Sequence, residues 1–236
     1  MSAPRGADIT GYRNAAPFFA LLVLMAVPAF WPSYLHPERV EADFHVHLHG
    51  IAMLLWSAML IAQPWLIRAG KWKLHRQLGK ASYAIAPLVV VSTLLLARYR
   101  LTQPYPPDQL YFLYLQLGLI AIFAVAYAQA IRYRKSAAVH ARYMVCTALT
   151  LVDPIVARLL YIAFGIEPPA MQALTYALVD VILVYLWMRD RRLGSNAGVF
   201  PRMLALFILV EIPTFILPGT ASWQAFAAWF AALPLP

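Results

Sequence analysis

Asp43–Arg68 reads DFHVHLHGIAMLLWSAMLIAQPWLIR: three alternate histidines, His45, His47 and His49, and then an apolar run long enough to cross a bilayer. With Asp43 as the cap and His45 in the first turn, a helical rotation of about 100° per residue places His45, His49, Trp56 and Gln63 on one face. His47 points the other way. A polar stripe on a membrane-spanning helix is expected to face protein or a water-filled cavity rather than lipid, so this stripe is the first place to look for function.

The rest of the chain fits that reading. Of its 236 residues, 62% are hydrophobic and only 12% charged, with a mean hydropathy of +0.66. Soluble domains hold roughly 45–50% apolar residues. Apolar stretches recur at about 14–32, 46–67, 80–97, 109–131, 143–164, 170–188 and 202–218, separated by short connections. The expected fold is all-α: a single domain over 1–236 in which seven transmembrane helices form one bundle, followed by a short outer helix at 223–233 bearing Trp223 and Trp229. The first apolar run has the outline of a signal peptide but lacks a small-x-small cleavage site before Pro32, so a retained helix is expected.

The net charge of +9 lies mostly in loops. Arg68, Lys71, Lys73, Arg76 and Lys80 follow the second stretch. Arg132, Arg134, Lys135 and Arg142 follow the fourth, and Arg189, Arg191, Arg192 and Arg202 the sixth. The opposite loops carry Glu38, Glu41, Asp43, Asp108 and Glu167. The positive-inside rule then places the N-terminus inside and the C-terminus outside, in a bacterial inner membrane, with Arg98 and Arg100 snorkelling at the outer end of the third helix. Such clusters read as topology signals in contact with membrane lipids, so no nucleic-acid partner is expected. Cys146 is the only cysteine, which excludes an intrachain disulfide or a thiolate metal cluster.

Metal chemistry would therefore fall to histidine and carboxylate. His45 and His49 have the i, i+4 spacing that lets two imidazoles meet one ion, with His36, Glu38, Glu41 and Asp43 nearby. At 1.5 Å per residue, His49 lies roughly 5–10 Å inside the outer boundary. Glu211 and Arg158 fall at about the same depth. A site of His45, His49 and Glu211 would bind zinc, iron or copper if the second and seventh helices were neighbours. The same residues also suit a wet helix entrance that caps the backbone and touches headgroups, or a proton entry.

His75 and His140 form an inner pair. Bis-histidine ligation of haem b, with Arg76 and Arg142 meeting its propionates, is one reading; contact with inner headgroups is the plainer one. Asp153, Arg158, Asp180 and Glu211 stand inside apolar runs, where an unpaired charge costs at least about 2.5–3.5 kcal/mol, so each should have a partner or a neutral form. Asp153 and Asp180 are the candidates for proton transfer. Pro154 removes a backbone donor and frees a carbonyl near Thr150.

The motif set resembles a group of bacterial multi-helix membrane proteins of no assigned activity. It is carried by His45, His49, Trp56, Gln63, His75, Arg76, Leu78, Gly79, His140, Arg142, Met144, Asp153, Pro154, Ala157 and Arg158. The chain is more loosely similar to the seven-helix progestin/adipoQ-receptor and alkaline-ceramidase superfamily, which implies an N-inside bundle with histidine-bound zinc and amide-hydrolase chemistry. It departs from that pattern on the seventh helix, where the superfamily has HxxxH and this chain only Glu211. That helix also lacks the lysine a retinal protein needs. Three function classes follow: a metal- or haem-binding membrane enzyme or redox protein acting on a membrane-borne small substrate; a proton- or cation-coupled transporter; or an accessory subunit of a larger complex.

Overall fold

A computed structural model describes residues 14–36, 43–194 and 198–235. Among these, nine α-helices and no strand occur. Helix α1 (Ala16–Phe30) runs on as a π-helical turn, Trp31–Leu35. Helices α2 (Phe44–Arg68), α3 (Trp72–Tyr99) and α4 (Pro107–Arg132) follow. The fifth span is two helices, α5 (Ala137–Leu149) and α6 (Val152–Phe164). Then come α7 (Ala170–Arg192), α8 (Val199–Glu211), which ends in 3-10 turns, and α9 (Ala221–Ala231). Seven of the resulting segments are long and apolar enough to cross a membrane.

The outside of the bundle is coated with exposed apolar side chains, among them Phe18, Leu24, Phe164, Leu209 and Ile216. In water such a surface would associate. In a bilayer it is matched to the acyl chains, and helices satisfy their own backbone hydrogen bonds there.

Helices α1, α2, α3, α4, α8, α7 and α6 follow one another round a closed ring, each packed on the next, and α6 closes the circle against α1. Helix α5 lies inside, touching α2, α4, α6 and α8. The fifth span is accordingly the central one: 56% of its apolar window is buried, against 6% for the first span. Around α5, Ile122, Cys146, Leu183, Phe200 and Phe207 fill one apolar cluster, while Trp56, Val89, Phe123, Leu151 and Ile155 fill a second. Helix α9 lies on the start of α4, its Trp223 indole donating to the Leu110 carbonyl at 2.9 Å, while Trp229 is exposed.

The fifth span breaks where Pro154 denies a donor to the turn before it. The loose ends are closed locally, with Thr150 Oγ1 donating to the Thr147 carbonyl at 2.9 Å and Leu151 N–H to that of Ala148 at 3.1 Å. The break puts Asp153 in the first turn of α6, where the helix dipole favours an anion.

Candidate functional site: a polar layer across the bundle

The side chains of α2 go three ways. Asp43 Oδ1 accepts from the His45 backbone N–H at 2.8 Å and lies 2.5 Å from His45 Nδ1, and the His45 ring stacks on Tyr99. These bonds to His45 hold the Asp43 carboxyl below its ordinary range. His47 turns to α1, with its Nδ1 3.0 Å from the Tyr34 hydroxyl. His49 turns to α3, its Nδ1 3.5 Å from Ser92 Oγ and 3.4 Å from Thr93 Oγ1. About two turns further, Trp56 is wholly buried edge-on to Phe123 and Tyr127, and its indole N–H meets no acceptor among the described residues.

At the basic end, Gln63 reaches α3. With its amide nitrogen toward His75 it donates to the ring Nδ1 and accepts from the Gly79 N–H at 3.0 Å. His140 Nδ1 lies 2.8 Å from the Ala130 carbonyl. Arg142 is committed to Asp190 through two hydrogen bonds, and Arg76 is exposed. His75 and His140 lie within electrostatic reach of each other, while Arg142, expected to meet a haem propionate, is bonded to Asp190 instead.

The expected His45, His49 and Glu211 set is not assembled. Among the described residues, no three His, Cys, Asp or Glu side chains converge as metal ligands would. Glu38 and Glu41 lie outside the described residues. Helices α2 and α8 stand on opposite sides of α5 rather than packed together. Depth fixes only how far along its helix a residue lies; its direction round the axis is set by the ring, and the ring separates them. Arg158, the other residue at that depth, does come within electrostatic reach of His49, as does Arg100.

Glu211 instead joins a second polar group between α4, α6, α7 and α8. Asp153 Oδ1 accepts from Gln172 Nε2 at 2.5 Å and from Thr175 Oγ1 at 2.8 Å. The Tyr111 hydroxyl donates to Gln172 Oε1 at 2.7 Å, and the hydroxyls of Tyr176 and Thr214 are 2.9 Å apart. Glu211 lies within electrostatic reach of Asp153 and Asp180. A buried oxygen on each of Asp180 and Glu211 has no hydrogen-bond partner among the described residues. No ion pair joins any of these carboxylates to an arginine among the described residues; Arg158 donates to the Pro154 carbonyl at 2.7 Å and lies over the Phe30 ring.

His49, Arg100 and Arg158 thus lie within electrostatic reach of one another, while Asp153, Asp180 and Glu211 form a separate carboxyl group. Sequence reasoning missed Gln172, Thr175, Tyr176 and Tyr111. The i, i+3, i+4 spacing of Gln172, Thr175 and Tyr176 was the signal that could have found three of them, as one polar face of a spanning helix.

No family model, curated protein or solved structure matches this chain.

Proposed function

We propose that the protein is a multi-pass inner-membrane protein of bacteria, oriented N-terminus inside and C-terminus outside, that moves protons through the carboxyl seam of α6, α7 and α8. The observation that carries this reading is Asp153: buried at a helix break in the central span, bonded by neutral Gln172 and Thr175, and next to two more carboxyls with unbonded oxygens. A carboxyl without a fixed counter-cation is the group proton relays use inside membranes. Neutral donors hold it in place without locking its charge. Apolar packing around α5 closes the path toward the basic end, so transfer through the whole bundle requires a second arrangement of that packing.

A proton flux assay on liposomes with a pH-sensitive dye inside and an imposed potential tests the proposal. Wild-type protein should acidify or alkalinise the lumen, and Asp153→Asn should slow that flux roughly tenfold or more. Equal flux in both would end the reading.

One observation favours a second reading. The Asp43 carboxylate on His45 Nδ1 is the arrangement that orients an imidazole to ligate through Nε2, so zinc, iron or copper at His45 is the metal site to titrate.

A further inference from the structure

Neither the carboxyl seam nor the histidines use the cavity between the end of α3 and the start of α4. It measures about 350 Å³, within the roughly 300–1,000 Å³ of small-molecule sites. We propose that it binds the headgroup of a phospholipid bearing a primary amine, with Asp108 taking the ammonium, Arg100 the phosphate and Gln116 an ester carbonyl.

All three polar side chains line this one cavity. Asp108 stands in the first turn of α4 and Arg100 is the residue that closes α3, so each carries its charge at the helix end whose dipole favours it. Both are exposed at the mouth. No ion pair joins them, and neither pairs with another of the described residues. A ligand bearing only a negative charge would meet Asp108, and one bearing only a positive charge would meet Arg100. Opposite charges that share a cavity without neutralising each other are complementary to a zwitterion. The guanidinium fork suits phosphate oxygens, and an ammonium with N–H donors suits the carboxylate.

Gln116 favours a lipid over a zwitterion from solution. It lies roughly 12 Å further along α4 than Asp108, inside the span Pro107–Arg132. Its amide makes no hydrogen bond to a described residue. Gln109, nearer the mouth, is by contrast engaged: its amide donates to Thr102 Oγ1 and accepts from the Thr102 N–H, each at 2.9 Å. A primary amide at membrane depth needs a partner, and the ester carbonyls of a phospholipid lie just below its headgroup. Between the charged mouth and Gln116 the lining is apolar. Phe112 is exposed there, beside the path of an acyl chain, while Leu101 and Leu113 are buried in a cluster with Phe230 of α9, which fixes that wall.

The test uses the whole protein in nanodiscs of equal parts phosphatidylethanolamine, phosphatidylglycerol and phosphatidylcholine, with the retained lipid read by native mass spectrometry. Phosphatidylglycerol lacks the cation, and the quaternary ammonium of phosphatidylcholine offers no N–H to Asp108. Wild-type protein should retain phosphatidylethanolamine over either by roughly fivefold. Asp108→Asn should erase the preference over phosphatidylglycerol while lipid is still retained. Arg100→Gln should reduce retention of all three, and Gln116→Leu should weaken it without changing their order. Asp108 and Arg100 are exposed, so their variants leave the packed core intact, and the preference is a ratio that partial unfolding does not reverse. A wild-type protein with no preference among the three lipids, or one lipid profile shared by wild type, Asp108→Asn and Arg100→Gln, would overturn the proposal. Proton flux through Asp153 is a separate matter and should persist in all three variants.

Discussion

Arg142 and Asp190 clasp one another inside the basic end of the bundle, Nε to Oδ2 at 2.5 Å and Nη2 to Oδ1 at 3.0 Å, joining the central helix α5 to α7. The remaining guanidinium edge donates to the Ala138 carbonyl at 2.8 Å, and both side chains are almost fully buried. Removing one partner leaves the other charge buried alone, so Arg142→Ala or Asp190→Asn should each lower stability by about 3–5 kcal/mol in a denaturant titration. An apolar pair of similar size, Arg142→Met with Asp190→Leu, should recover most of that loss.

Helices α4 and α8 meet at Gly118, where an added Cβ would lie 2.6 Å from Cγ1 of Val210. A branched valine has little freedom to turn away. Gly118→Ala should therefore cost about 1–3 kcal/mol, seen as a lower midpoint of thermal unfolding. Val210→Ala in the same chain should restore it, and failure of that rescue would place the strain elsewhere.

Trp56 fills the core with an indole N–H that has no acceptor among the described residues. Trp56→Ala should cost about 3–5 kcal/mol through the cavity it leaves. Trp56→Phe removes both volume and the unmet donor, and the two effects oppose each other. Its loss should be markedly smaller; equal losses would mean that water satisfies the indole.

Asp43 caps α2, and its carboxyl lies below the ordinary range because the charged form accepts from His45. A group whose native value is depressed contributes stability above its unfolded value, about 3.9 for aspartate, and loses that contribution as pH falls through the lower native value. Hydrogen exchange of the first α2 amides should thus be steady from neutral pH down to about 4 after correction for intrinsic rates, and should accelerate below it. Asp43→Asn keeps a capping oxygen and should abolish that acid-side change.

How far the sequence foretold this architecture differs from helix to helix. Seven apolar runs between cationic loops suffice for seven helices, because bilayer thickness imposes their length. The break at Thr150–Leu151 was hidden inside one continuous apolar run, with Pro154 as its single mark. Glu211 and His49, expected at one depth, face different neighbours, since position round the ring depends on packing partners remote in sequence. Asp190 is masked by Arg189, Arg191 and Arg192, so its pairing with Arg142 emerges only when α5 and α7 are assembled. Gln172 and Thr175 bear no charge, and only their meeting with Asp153 distinguishes them from ordinary polar positions.

The two-piece fifth span also has a mechanical side. Helix α5 is tied to α7 by Arg142 and wedged between α2, α4 and α8, whereas α6 packs against α1 and α7 at the rim. The junction at Leu149–Val152 is therefore a hinge between an anchored shaft and a short lever. Asp153 sits at its pivot and Arg158 further along the arm, so a tilt of α6 would shift the arginine farther than the carboxylate and change the spacing between the cationic and acidic groups.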